Sequence, residues 1–414
     1  MQIVVVHVVV VAQVIVVVVA QVIVMVHVMV TVLACDLEIV HLPMIETKKL
    51  KIYPTLCVTH KCNLNCIYCY QKYKSNANMS FETAKYCVDS ICDTMLNDVE
   101  AVEFSFIGGE PLLNFDLIKK IFEYVIAKKL SIQKRFFITT NGTILTSEMK
   151  SWFTEHRDQF ILCLSLDGTR ETHNLNRSNS FDLIDKDFFL KNWCEQPIKM
   201  TLSENSLSTL AKDIRYLHSL GFKISGPNLA EGNFHYENKV DELKHQFLKL
   251  LDFYVEYDNV PLAGIFDKPL YICETEKAVH KPWCGIGVST PFFDVDGNCY
   301  PCPFTTPMTF SKSDLKLICK TDFSSKQVYI DNYCSENCYL YSLCPTCAGA
   351  NYLATGCFNK RDKSKCEILK LTALFSAMIQ GKRILKGKQD MSDYKKYHSI
   401  TAIKKIYEIY KYLL

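Results

Sequence analysis

Three cysteines stand close together in the stretch Cys62-Asn63-Leu64-Asn65-Cys66-Ile67-Tyr68-Cys69. Thiolates at this spacing on one loop can converge on one metal centre, either a zinc ion or three corners of an iron–sulfur cube. Zinc needs a fourth ligand, which His60 could supply. A cube held by three thiolates leaves one iron without a protein ligand, and an open position marks a centre that binds substrate. Further cysteines gather downstream, at 284, 299, 302, 319, 334, 338, 344, 347, 357 and 366. Between the two groups lie Gly108-Gly109-Glu110-Pro111, Thr140-Asn141-Gly142, Ser165-Leu166-Asp167-Gly168 and Arg177. Glycines let a backbone approach a ligand closely, and a carboxylate beside them can accept hydrogen bonds from an ammonium. An arginine suits two-point binding of a carboxylate.

The elements that must position these residues alternate strand and helix. Leu56-Cys57-Val58 is a short apolar run that ends in the cysteine loop. Ser80 can cap a helix carrying Ala84, Cys87, Val88, Ile91 and Met95 at helical spacing. Val102, Phe104 and Phe106 alternate as a strand closed by Gly108-Gly109, and Asn114 can cap the helix that follows. Residues 135–139, 160–164, 198–202 and 222–224 read as four more strands, with helices opening at Thr146 or Ser147 and over about 206–219. Such alternation implies a parallel sheet, and six units favour a partial (β/α)6 TIM-type barrel over a doubly wound sheet. In β/α barrels the catalytic groups sit where strands end. The cysteine loop and the three Gly-containing loops each fall just after a strand, so one rim would hold all four.

A cysteine loop of this spacing, with an aromatic before the last cysteine and a GGEP one strand later, resembles the radical S-adenosylmethionine (SAM) superfamily. The resemblance implies that Cys62, Cys66 and Cys69 hold a [4Fe-4S] cluster whose open iron binds SAM. One electron then splits SAM into methionine and a 5′-deoxyadenosyl radical that takes a hydrogen atom from substrate. It further implies SAM contacts by Gly108, Gly109, Glu110, Asn141, Ser165 and Arg177. Ile107 stands where the family often has a polar residue.

The downstream cysteines are similar to the SPASM extension of radical SAM peptide maturases, which normally holds two auxiliary [4Fe-4S] clusters. Carried over, Cys284, Cys302 and Cys347 would ligate the first, and Cys334, Cys338, Cys344 and Cys366 the second. The first is one cysteine short, leaving Cys299, water or substrate for the fourth site. Cys319 and Cys357 have no assignment. A zinc ribbon is the alternative for this region. Asp294 and Asp296 flank it and are candidates for the proton acceptor that bond formation needs, although an aspartate before Gly297 also suits a β-turn.

The composition is that of a globular protein: 414 residues, 49% hydrophobic, 22% charged, net charge +3. This gives no electrostatic footprint for nucleic acid. Thiolate ligands survive best in a reducing compartment, which points to the cytoplasm. Residues 1–34 contain 18 valines and no Lys, Arg, Asp or Glu. Three readings stand: a membrane anchor, a disordered or aggregating extension, or mistranslated upstream sequence with the true start near Met44. Membrane contact is expected only if the run is authentic.

The expected organisation is a valine-rich extension over 1–43, a radical SAM partial barrel over 44–258, a small cysteine-rich iron–sulfur domain over 259–366, and C-terminal helices over 367–414. The last carry Leu371, Leu374, Phe375 and Met378, then Ile403, Ile406, Ile409 and Tyr410, on apolar faces. The expected activity is maturation of a ribosomally made precursor peptide by an intramolecular crosslink, with a flavodoxin or ferredoxin as electron donor. The alternatives are an anaerobic sulfatase-maturating enzyme forming formylglycine, and a non-catalytic iron–sulfur or zinc protein.

Overall fold

The computed structural model describes residues 50–96, 99–231, 236, 238–275, 284–344 and 347–414. The valine-rich run lies outside these. Nine strands are described: β1 (Leu50–Ile52), β2 (Thr55–Thr59), β3 (Val99–Gly108), β4 (Gln133–Thr140), β5 (Phe160–Leu164), β6 (Thr201–Leu202), β7 (Asn228–Leu229), β8 (Phe292–Phe293) and β9 (Cys299–Tyr300). Strands β2 to β5 pair in parallel, in chain order. Bridges Ser165↔Lys199 and Ile198↔Ile224 carry the parallel pairing on to β6 and β7. Among the described residues nothing pairs β7 with the other edge, so the barrel is partial, as expected. Of the expected sixth strand, 222–224, Ile224 forms a single bridge, and the strand pairing lies beyond it at Asn228 and Leu229.

The helices are α1 (Phe81–Met95), α2 (Phe115–Ala127), α3 (Ser147–Glu155), α4 (Arg170–Asn176), α5 (Lys186–Trp193), α6 (Leu210–Ser219) and α7 (Val240–Glu256). Ser80 caps α1 by accepting from Thr83 N at 3.0 Å, and Thr146 caps α3 through Met149 N at 3.2 Å. Asn114 makes no such cap; its amide donates to Val58 O at 2.8 Å, and a 3₁₀ turn over Pro111–Asn114 leads into α2 instead. Helical periodicity is unreadable in α4, which carries one apolar residue, and in α5, whose Phe188, Phe189 and Leu190 are consecutive. Alternation on the strands sends Phe104, Phe136 and Phe160 to the helix side. Their rings stack at 5.9 Å (104–136) and 4.9 Å (136–160) and meet Phe122 of α2 and Trp152 of α3. Each buried ring contributes about 1.5–3 kcal/mol, and together they fix which face of the sheet is left for the barrel interior.

The rest of the chain closes onto this unit. The β8–β9 hairpin adds to the free edge of β2, with Thr55↔Phe292 and Leu56↔Phe293 in parallel register. Short helices α8 (Lys312–Ile318), α9 (Asn332–Asn337) and α10 (Ala348–Thr355) follow, then two long ones, α11 (Cys366–Leu385) and α12 (Asp393–Tyr410). Helix α11 packs on α7 through Phe375 and Phe247, ring centroids 5.4 Å apart. The predicted apolar residues of α11 and α12 are buried except Ile409, which faces out. Among the described residues no helix is long and apolar enough to cross a membrane.

Candidate active site and cluster seats

Cys62, Cys66 and Cys69 lie on the loop that leaves β2, and all three are half-buried. Burial pushes the Cys62 and Cys66 thiols up; they stay protonated until a metal takes the proton's place. Zinc thiolates about 2.3 Å from one ion would lie within about 4 Å of each other. Among the described residues the one trio with ligand atoms all within 4.8 Å is Cys57, His60 and Asp294. Cys62, Cys66 and Cys69 do not form such a trio. His60, the expected fourth zinc ligand, is committed elsewhere: Nε2 pairs with Asp294 Oδ1 at 2.7 Å and Nδ1 lies 3.0 Å from Ser75 Oγ.

The GGEP turn supports this loop from below. A Cβ on Gly109 would come within 2.4 Å of Lys61 O and 2.7 Å of the Cys62 Cβ; one on Gly108 would come within 2.2 Å of Thr59 O. The close approach that these glycines permit is therefore to the cysteine loop itself, where the sequence suggested a ligand. The turn also bonds to the loop, from Gly109 N to Thr59 O at 3.1 Å and Glu110 N to Lys61 O at 2.8 Å. The Glu110 carboxylate is buried and accepts from Thr140 Oγ1 (2.7 Å), Asn141 N (2.8 Å) and Leu112 N (3.2 Å). Burial outweighs these donors and raises its pKa to about 7. Asn141 ties the next loop to the cysteine loop through Asn63, its Nδ2 donating to Asn63 Oδ1 at 2.9 Å.

Sequence reasoning passed over Asp167, which proves to be the hub of the third loop. It is fully buried and takes Arg177 at two points, Nε–Oδ2 2.8 Å and Nη2–Oδ1 3.2 Å. It also accepts from Thr201 N at 3.0 Å and from the hydroxyl of Tyr68, the aromatic within the cysteine loop. Arg177 lies 5.3 Å from the Tyr68 ring. Arg177 does bind a carboxylate at two points, as its chemistry suggested, but the carboxylate is Asp167's. Main-chain bonds complete the fastening: Ile67 N to Asn176 O at 3.0 Å and Asn65 N to Ser178 Oγ at 2.9 Å. The signal for Asp167 was present in the SLDG turn, but an aspartate before glycine reads as a turn residue.

Ser165 lies buried at the end of β5, bridged to Lys199. Ile198 and Met200 point into the core, so Lys199 points the other way, into the barrel with Ser165 and Cys163. Solvent reaches Lys199, yet surrounding protein lowers its pKa. It is a cation on the barrel interior that sequence reading had no means to place.

Cysteines of the second group lie around two adjoining cavities, and Cys344 and Cys347 border both. Burial raises the Cys302 and Cys347 thiols; Cys284 adds to both shifts and Cys302 to that of Cys347, so the three lie near one another. Cys334, Cys338, Cys344 and Cys366 line a cavity of about 80 Å³. Cys347 and Glu231 also border it, and Glu231 pairs with Lys365. Cys299 does not join the first group. It lines a different cleft, with Cys319. Lys363 Nζ lies 2.9 Å from Cys334 Sγ, and Arg361 Nη1 donates to Cys344 O at 3.2 Å. Four thiols beside two cations suit a centre that is anionic once thiolate-ligated.

The two expected proton acceptors differ in place. Asp294 is buried against His60 and Cys57, behind the cysteine loop. Asp296 is exposed in the β8–β9 turn, where it accepts from Asn298 N at 3.0 Å and Asn298 Nδ2 at 2.7 Å. Both hold the hairpin's shape. The two cysteine regions are joined at this seam. Besides His60–Asp294, Tyr70 stacks on Phe304 (4.7 Å, 24°) and Tyr73 N donates to Met308 O at 2.8 Å. Tyr70 follows Cys69 directly and Phe304 follows Cys302 by two residues.

Comparison with known proteins agrees with this geometry. Residues 56–186 match the Radical SAM superfamily model. The chain is 26% identical over 342 residues to a cysteine-type anaerobic sulfatase-maturating enzyme of Clostridium perfringens, covering 75% of this chain and 89% of that protein. It superposes on native anSMEcpe with bound AdoMet and Cp18Cys peptide with a TM-score of 0.61 at 20% identity, over 82% of this chain and 100% of the other. Streptococcus suis SuiB bound to the precursor peptide SuiA matches with a TM-score of 0.50 at 12% identity, over 76% of each chain. At these identities the structural likeness establishes the fold.

Proposed function

For a chain that carries a radical SAM domain and is an enzyme of that superfamily, we propose oxidation of a residue in a protein or peptide substrate, of the sulfatase-maturating kind. The observation that carries this reading is the joined pair of cysteine regions: a three-thiol loop on the barrel rim, seamed to a cysteine-rich segment with two further thiol groups. Similarity to a sulfatase-maturating enzyme covers 75% of this chain, which supports that class of substrate.

The superfamily's [4Fe-4S] cluster and SAM supply the hydrogen-abstracting radical when bound. The chain's own residues do the rest. Cys62, Cys66 and Cys69 would hold the cluster by three corners. Glu110, ionised, would take the SAM ammonium, and Ser165 would reach the SAM ribose. Asp167 and Arg177 cancel each other's charge and lock the loop through Tyr68. Lys199 offers a positive charge on the barrel interior. Cys284, Cys302 and Cys347, with Cys334, Cys338, Cys344 and Cys366, would hold the two auxiliary clusters. A flavodoxin or ferredoxin would supply the electron.

A second reading, intramolecular crosslinking of a precursor peptide, is favoured by the three-thiol first auxiliary group and by the fold shared with SuiB. The mass of a candidate substrate after anaerobic co-expression tests both. Formylglycine formation from cysteine replaces the thiol by an aldehyde oxygen. A crosslink removes two hydrogens and keeps the sulfur. An unaltered mass for both a sulfatase-type cysteine peptide and the peptides encoded beside the gene would overturn the proposal.

A further inference from the structure

Arg361 is 8% exposed, and its guanidinium borders the cavity formed by Cys334, Cys338, Cys344 and Cys366. Its bonds are few for a group with five donors. Nη1 donates to Cys344 O at 3.2 Å, and the plane lies 4.3 Å from the Tyr341 ring. Nε is buried and has no hydrogen-bond partner. Among the described residues no carboxylate is ion-paired with it; Asp331 bonds only to its main-chain N, at 3.0 Å. A buried guanidinium without an anion is unfavourable, and so is a buried N–H without an acceptor. Arg177 shows what the fold does elsewhere, where a buried arginine has its own aspartate. At Arg361 the anion is missing, and four thiols surround the space where it would be.

We propose that Arg361 is the counter-ion of the second auxiliary cluster and hydrogen-bonds it from Nε, as a positioning residue that raises the cluster's reduction potential. The four thiolates and the sulfides of a [4Fe-4S] core carry net negative charge and accept hydrogen bonds. Both terms tune its potential, because reduction adds a further negative charge that a nearby cation and donor stabilise. Lys363 adds a second cation at one ligand, its ammonium 2.9 Å from Cys334 Sγ, and it is left intact in the variants below. The inference rests on the four-thiol seat being a cluster site.

The test uses full-length, anaerobically reconstituted protein. The signal lost in Cys344→Ala identifies the second cluster, and EPR-monitored redox titration follows it in wild type, Arg361→Gln and Arg361→Lys. Arg361→Gln is expected to keep the iron and shift the midpoint negative by about a tenfold change in the one-electron equilibrium, about 59 mV. Arg361→Lys keeps the charge but loses Nε, and is expected to shift it less. If Arg361→Gln fails to hold iron, Arg361→Lys decides. Wild-type protein with ¹⁵N-labelled arginine is expected to show a nitrogen hyperfine coupling on this cluster that Arg361→Lys lacks. Wild-type midpoints in both variants, with iron retained and no coupling, would overturn the inference. If Cys344→Ala removes no iron, the four-thiol reading itself falls, a different failure from an unmoved midpoint.

Discussion

The two cysteine regions treat charge in opposite ways. On the first loop the thiols are half-buried, and the buried arginine beside them is already neutralised by Asp167. Around the second cavity, four thiols stand beside Lys363 and beside Arg361, which among the described residues has no carboxylate ion-paired with it. The difference teaches what each seat is for. On the proposed reading the first, with no spare cation from Arg177, would leave one iron unligated and open to a charged small molecule whose ammonium Glu110 would take. The second would be fully thiolate-ligated and take its charge balance from the protein.

The largest effects should come from removing a ligand in either region. Cys66→Ala should abolish 5′-deoxyadenosine formation while losing only about four irons. Cys344→Ala should lose about as many and still cleave SAM without turnover of substrate. Product analysis with iron assay checks both, and the same phenotype from both variants would break the comparison. Next comes Asp167→Asn. It leaves Arg177 buried beside a neutral group and should destabilise the fold by about 3–5 kcal/mol, read as a lowered denaturation midpoint.

Gly109→Ala should follow at about 1–3 kcal/mol of overpacking. Its new methyl meets Lys61 O and Cys62, so iron should be lost from the first seat and kept at the second. The smallest effect is pH-dependent. Burial raises the Glu110 pKa from the ordinary 4.5 to about 7. A raised carboxyl makes the empty fold lose stability as pH climbs from 4.5 towards 7, because the unfolded chain ionises first. An ammonium ligand needs the ionised form, so SAM affinity should rise with pH and level off above about 7. Glu110→Gln should weaken binding by roughly tenfold or more and flatten that profile, measured by calorimetry from pH 5.5 to 8.5.

Much of this was legible in the sequence because it is local. The cysteine spacing, the alternating phenylalanines of β3 and the caps at Ser80 and Thr146 all act within a few residues. The division of the downstream cysteines into two groups followed from resemblance alone. What stayed hidden depends on distant partners. Asp167 looked like a turn residue until Arg177, Tyr68 and Thr201 converged on it. The two-residue strand Phe292–Phe293 has no periodicity to read, yet its pairing with β2 seams the regions together. Cys299 sits near the first auxiliary group in sequence, but hairpin pairing turns it towards Cys319. Asp294 was visible as a carboxylate near the cysteines; that His60 would hold it was not.

The most direct test of the account is one assay on the reconstituted wild-type chain: metal content together with 5′-deoxyadenosine released after reduction by dithionite in the presence of SAM. About 10–12 irons per chain and formation of 5′-deoxyadenosine are the predicted result. Zinc in place of iron, or no 5′-deoxyadenosine from iron-replete protein, would contradict it.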